Sequence, residues 1–199
     1  MIKLLLTSTG LTNQGIRDKF LQLINKPISQ TKIGFVPTAS RTKGELKYVQ
    51  ISKNELLDLG IPEANIKVLN LNKAVSFEEI KDFDVIYVCG GNTFYLLKKV
   101  RETGFDKAIK EFSRTDKLYF GVSAGSILAG PSIDIASPFD ENDVELTDLT
   151  GLNLTDTVVT PHYKKEEESI IKPFTGKFSV VALTDNQALS ITNEITEII

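Results

Sequence analysis

Residues 117–130 read KLYFGVSAGSILAG. The first half, through Ser123, is a short apolar run of the kind that forms a buried strand. AGSILAG (124–130) starts a helix of small residues. A strand that turns into a helix across Gly121-Val122-Ser123-Ala124-Gly125 belongs to a βα unit, and βα units build parallel sheets.

The rest of the chain repeats that grammar. IKLLLTS (2–8), KIGFVPT (32–38), IKVLNL (66–71), DVIYVCGG (84–91), TVVTPHY (157–163) and FSVVALTD (178–185) read as strands. Between them GIRDKFLQLI (15–24) places Ile16, Phe20 and Ile24 on one helical face. In KGELKYVQISKNELLDLG (43–60) Leu46, Val49, Leu56 and Leu59 recur at near-helical spacing, and Gly60 and Pro62 stop the helix. SFEEIKD (76–82) is a short helix whose Ser76 and Glu79 have capping-box spacing. NTFYLLKKVRETG (92–104) is another helix. Residues 131–156 are polar and read as loops or an antiparallel hairpin, and QALSITNEITEII (187–199) as a terminal hairpin turning at Asn193-Glu194. Strands this continuous in Val, Ile and Leu are buried on both faces. The expected fold is a three-layer α/β/α sandwich with a mostly parallel central sheet, one domain over residues 1–199.

Composition narrows the function classes. The chain has 199 residues, 25% of them charged, and a net charge of −3. That balance gives no footprint for nucleic acid or an anionic membrane. Its single cysteine, Cys89, forbids an intrachain disulfide and fits a reducing, cytoplasmic compartment. Cys89 has no base or cation beside it in sequence and reads as a buried structural thiol. A metal centre is not expected, because there is one histidine and one cysteine.

Ligands of open α/β sheets bind at the carboxyl ends of the strands. The residues that bear chemistry cluster there. Ser123 sits where a nucleophile elbow would lift its hydroxyl above the sheet, with the Ala124 amide aimed at a developing oxyanion. A glycine-rich packing turn is the alternative reading. A serine needs a base, and His162 is the only histidine in the chain. VCGGNTF (88–94) puts two glycines after a strand, so the Gly91 amide is a second candidate oxyanion donor, while Asn92 suits a helix cap. Two carboxylates compete to orient His162. Asp185, at a strand end, is preferred to Asp140, in the loop SPFDENDVE (137–145).

GGNTFYLL (90–97), GVSAGSILAGPSI (121–133), TPHY (160–163) and VVALTDNQAL (180–189) together resemble the aspartyl dipeptidase (peptidase E) family of serine peptidases. That family is related to the cyanophycinases and shares the flavodoxin-like fold of class I glutamine amidotransferases. The resemblance implies a dipeptidase-like serine peptidase. Ser123 would be its nucleophile, His162 its base and Asp185 its acid. Asp140 falls nearest a second family acid, and the Gly91 and Ala124 amides would form the oxyanion hole. It implies no cofactor and a small peptide as substrate, handled by a monomer or a homodimer. The family's arginine for an aspartyl side chain has no counterpart in KKEEESIIKPF (164–174). Lys164 or Lys165 could replace it only as point charges, and Arg41 in PTASRTKG (37–44) is another candidate carboxylate clamp, with a plain surface residue as the competing reading; Asn92 and Arg41 are the candidate substrate contacts. An esterase or amidase on the same machinery, and a ligand-binding relative without activity, are the alternatives.

Overall fold

A computed structural model describes residues 2–193 and 195–199. Among the described residues the main sheet has seven strands. Five are parallel, in the order β3 (Ile66–Val68), β2 (Ile33–Val36), β4 (Val85–Val88), β5 (Leu118–Val122), β1 (Lys3–Thr7). Two antiparallel strands, β8 (Ala188–Thr192) and β9 (Ile195–Ile198), extend the sheet beyond β1.

Alternation along each strand divides the core into two layers. Leu5, Phe35, Tyr87 and Phe120 face the side covered by α1 (Gln14–Ile24) and α2 (Lys43–Asp58). There Phe20 of α1 meets Phe120 edge-on at 5.4 Å between ring centres, and Tyr87 stacks on Phe120 at 4.5 Å. Leu4, Leu6, Ile86, Val88 and Tyr119 face the opposite layer. That layer holds α3 (Phe77–Ile80), α4 (Thr93–Glu102), α5 (Phe105–Phe112) and α6 (Ala124–Ala129). Fully burying one such aromatic or aliphatic side chain is worth about 1.5–3 kcal/mol, so these two layers dominate the stability. The architecture is the expected α/β/α sandwich.

Several elements differ from the expectations. The strands β6 (Thr157–Thr160) and β7 (Ser179–Ala182) do not join the main sheet. They form a separate parallel pair, and β7 is partly exposed rather than buried on both faces. Two helices add to the expected ones: α5, and α7 (Glu168–Thr175) with Pro173 inside it. In α1 it is Leu23 that is buried beside Ile16 and Phe20, while Ile24 lies at the edge of the core. Leu46 of α2 is 50% exposed and does not join the core, and its neighbours Glu45, Tyr48 and Val49 border a cavity. Residues 131–156 hold a 3-10 turn at Asp134–Ala136 and a single antiparallel bridge, Ser132 to Thr150. The terminal hairpin forms by β8–β9 pairing. Asn193 takes the left-handed conformation of a turn residue, and Glu194 lies outside the described residues.

Candidate active site

The elbow is built by backbone constraints that only small residues satisfy. The last residues of β5 pair with β1, and the Ser123 amide donates to Thr7 O at 3.0 Å. The chain then reverses. Ser123 has φ 48° and ψ −110°, a region that costs a non-glycine residue about 1–3 kcal/mol. Its carbonyl accepts from the amides of Ser126 and Ile127, which starts α6 at once. The buried Ser126 hydroxyl lies 2.8 Å from Thr7 O and 2.9 Å from Gly121 O, locking the turn to β1 and β5. A side-chain carbon on Gly125 would sit 2.3 Å from Val88 O, and one on Gly121 would sit 2.7 Å from the Gly125 backbone. The two glycines are thus required by close approach of backbone to backbone.

His162 follows β6 in a left-handed conformation, φ 58°. Its Nε2 is 3.0 Å from Ser123 Oγ, and its Nδ1 is 2.7 Å from Asp185 Oδ1. A carboxylate only accepts, so Nδ1 carries the proton and donates to Asp185. Nε2 is then the acceptor for the Ser123 hydroxyl. Asp185 reaches this position although β7 lies outside the main sheet. The amide of Leu183 donates to Thr160 O at 2.9 Å and that of Tyr163 to Leu183 O at 3.0 Å, which carries the β6–β7 pairing up to the histidine.

Ser8, which the sequence reading passed over, ties the pair down. Its buried hydroxyl accepts the His162 amide at 2.8 Å and donates to Asp185 Oδ1 at 3.3 Å. The Thr9 hydroxyl donates to the Asp185 carbonyl. The only advance signal for Ser8 is its place at the end of β1.

The Gly90–Gly91 peptide runs beside the serine. A side-chain carbon on Gly90 would lie 3.1 Å from Ser123 Cβ. Gly91 has φ 133°, and a side chain there would meet Ala39 O at 2.2 Å. Among the described residues, no protein acceptor takes the amide of Gly91 or of Ala124.

The other expected residues are held by contacts of their own. Asp140 does not touch His162 through a hydrogen bond; its Oδ2 accepts the Thr93 amide at 2.8 Å at the start of α4. Asn92 caps the same helix, accepting from the Tyr95 amide at 2.8 Å and donating to Glu141 O at 2.8 Å. The Arg41 guanidinium pairs with Asp143 at 2.8 Å and lies 4.4 Å from the centre of the Tyr95 ring. Asn92 and Arg41 thus fasten the 140–143 loop to the start of α4.

A cavity of about 480 Å³ opens over Ser123. Gly90, Gly91, His162 and Asp185 border it on the catalytic side, and Tyr48, Val49, Ile51 and Ser52 of α2 on the other. Glu45 lies on its wall. Partial burial pushes the Glu45 carboxyl up, but the amides of Thr42 and Arg41 outweigh this and hold it below the usual carboxylate range. Cys89 lies under the cavity, and burial pushes its thiol far above its ordinary value, so it holds its proton. Among the described residues no cluster of His, Cys, Asp and Glu is arranged to hold a metal ion. None of the helices in the described residues is long and apolar enough to cross a membrane.

The sequence and the fold were compared with those of known proteins. The model of peptidase family S51 matches residues 4–199. An uncharacterized peptidase of Pasteurella multocida is 35% identical over 188 residues, covering 89% of this chain and 88% of its own length. Peptidase E of Salmonella arizonae is 31% identical over 164 residues, which is 80% of this chain and 68% of that protein. The 1.5 Å crystal structure of a candidate peptidase E protein from Listeria monocytogenes superposes with a TM-score of 0.81 at 29% identity, covering 100% of this chain and 98% of that one.

Proposed function

The chain belongs to peptidase family S51 and is a serine peptidase, and from that premise we propose that Ser123, His162 and Asp185 carry out the hydrolysis of small peptides. The observation that carries this reading is the continuous hydrogen-bonded line from Ser123 Oγ through both imidazole nitrogens to Asp185, at 3.0 and 2.7 Å. Both distances are within reach for proton transfer.

Ser123 Oγ attacks the scissile carbonyl carbon as His162 Nε2 takes the hydroxyl proton. The carbonyl π electrons move to oxygen, where the Gly91 and Ala124 amides stabilise the charge. Asp185 holds the imidazole in the Nδ1–H form and stabilises the imidazolium. Collapse of the tetrahedral adduct breaks the C–N bond, and His162 hands its proton to the leaving amine. Water, deprotonated by the same nitrogen, releases the acyl group and restores Ser123. These steps need no cofactor.

The size of the cavity, about 480 Å³, favours a dipeptide or another short peptide over a folded chain. The single buried cysteine fits a reducing compartment, and we place the enzyme in the cytoplasm. The test is the Ser123→Ala variant on a dipeptide panel. Turnover should fall by about 10⁴-fold or more, with the circular dichroism spectrum unchanged. Hydrolysis at the wild-type rate would sink the assignment.

A further inference from the structure

Ser40 follows β2 and lines the larger of the two cavities that meet at Ser123 and His162, of about 480 and 110 Å³. It is half-buried, and its hydroxyl donates to Gly90 O at 2.8 Å. That contact lies in a short seam between two loops. The Cys89 amide donates to Val36 O at 2.9 Å and the Asn92 amide to Ala39 O at 3.0 Å. Both of these act on neighbouring peptides. Among the described residues the Ser40 hydroxyl makes the only hydrogen bond to the Gly90–Gly91 peptide itself. The Ser40 amide in turn donates to Pro37 O at 3.0 Å, which fixes the turn that carries the hydroxyl.

Holding the carbonyl of a peptide aims its amide. A peptide unit is planar and trans, so its C=O and N–H point in opposite directions. With Gly90 O turned to Ser40, the Gly91 N–H faces away from Ser40 and is left without a protein acceptor among the described residues. Both residues of this peptide are glycines, which admit either orientation of the plane. Half a turn of the peptide would carry Gly91 from its φ of 133° to about −50°, an ordinary backbone region. The observed orientation is therefore the one that needs holding. The rotated one would direct Gly90 O where the amide now points. A carbonyl there repels a developing oxyanion, whereas the amide stabilises it.

We propose that Ser40 is a positioning residue for the oxyanion hole, holding the Gly90–Gly91 peptide in the orientation that presents the Gly91 amide to the substrate. The role of Ser40 rests on the reading of that amide as an oxyanion donor. Ser40 touches no reacting atom and acts through Gly91. Its hydrogen bond also polarises the peptide, which strengthens the N–H as a donor. Charge on the substrate's carbonyl oxygen develops only in the transition state, so the effect falls on kcat and not on substrate affinity.

Kinetics on the fastest-cleaved dipeptide of the panel test the role. Ser40→Ala should lower kcat about tenfold, the worth of one such bond, with KM within about twofold of wild type. Ser40→Thr, which keeps the hydroxyl, should recover most of the loss. Adding Ser40→Ala to Gly91→Ala should slow that variant no further, since the amide that Ser40 aims is already displaced. A serine-directed phosphonate gives a readout that needs no dipeptide. Its phosphoryl oxygen occupies the oxyanion position, so labelling of Ser123 should also slow about tenfold in Ser40→Ala. Circular dichroism checks that each variant is folded. An unchanged kcat in Ser40→Ala, a change confined to KM, a threonine variant no better than alanine, or a further tenfold loss in the double variant would overturn the positioning role and leave the triad standing. Full activity in Gly91→Ala would overturn the hole and the part of Ser40 in it together. A wild-type enzyme that the phosphonate does not label would overturn the nucleophile and, with it, both.

Discussion

The His162 amide donates a 2.8 Å hydrogen bond to the hydroxyl of Ser8, and that hydroxyl turns its own proton toward Asp185 Oδ1 at 3.3 Å. One buried side chain at the end of β1 therefore fixes the backbone of the proposed base and the carboxylate of the proposed acid together. Ser8→Ala removes both bonds while leaving the triad residues in place. Losing one such bond costs about 1–1.5 kcal/mol, which corresponds to roughly tenfold in rate. The expected outcome is a drop in kcat of that size with KM near wild type, because Ser8 acts through His162 and Asp185. Ser8→Thr, which keeps a hydroxyl, should recover part of the loss. A change confined to KM would show that Ser8 serves substrate binding instead.

The line between what the sequence displayed and what it hid follows the range of the interactions. The elbow was legible because its tightest requirement is local: Gly121 answers to the backbone of Gly125 and Ser126, a few residues on in the same strand-turn-helix. His162 was legible because it had no competitor. Ser8 was invisible, since its role depends on Asp185, 177 residues away. The choice between Asp185 and Asp140 stayed open for the same reason: both are loop carboxylates, and only the β6–β7 pairing brings Asp185 to the imidazole. That pairing also shows the limit of reading strands from apolar runs, which do not say which sheet a strand joins. Helix α5 was a different kind of miss. Phe105, Ala108, Ile109 and Phe112 are spaced by three and four residues and are all buried, so the helical signal is present in the sequence itself.

Strain at Ser123 gives a stability prediction with an unusual sign. Alanine normally stabilises a protein relative to glycine by about 0.4–1 kcal/mol through the unfolded chain. At φ 48°, ψ −110° the order should reverse, because glycine enters this region freely and alanine does not. Ser123→Gly should therefore melt higher than Ser123→Ala, by about 2–4 °C for about 1 kcal/mol in a chain of this size. Both variants lose the hydroxyl, so its bond to His162 cancels in the comparison. A higher melting temperature for the alanine variant would mean that the turn stores no strain.

Gly91 is argued to serve the site through its amide, and its conformation tests that claim. With φ 133° and Ala39 O 2.2 Å from the position of an added side chain, Gly91→Ala must shift the Gly90–Gly91 peptide. Loss of one oxyanion donor lowers kcat by about 10²–10³-fold. The expected result is a fall of that order in kcat on a dipeptide substrate, with a lower melting temperature. Retention of full activity would remove the Gly91 amide from the mechanism.

Cys89 borders the larger cavity yet is almost wholly buried, and its thiol is held protonated by that burial. Thiolate is the reactive form, so iodoacetamide at neutral pH should leave the native protein unmodified and its activity intact. The same reagent should alkylate Cys89 once the chain is unfolded in guanidinium. Mass spectrometry of the two samples distinguishes the states. Rapid native alkylation with loss of turnover would mean that the cavity opens down to the thiol.

Glu45 links the mouth of the larger cavity to the stability of α2. Its carboxylate accepts the amides of Arg41 at 2.9 Å and Thr42 at 2.7 Å, while its own amide donates to the Thr42 hydroxyl at 3.2 Å. These bonds hold the carboxyl below its ordinary value despite partial burial. A depressed folded-state value means that the charged form stabilises the fold. That contribution is complete above the unfolded carboxyl pKa, about 4.3, and is lost as pH falls through the lower folded value. Because the group is largely exposed, its worth is about 0.5 kcal/mol, in the range of an exposed helix-terminus charge. Glu45→Gln should accordingly unfold at lower urea than wild type at pH 7, and the two curves should converge as the pH is lowered below 4. A difference that persisted undiminished at acid pH would show that packing, and not the charge at the start of α2, is what Glu45 supplies.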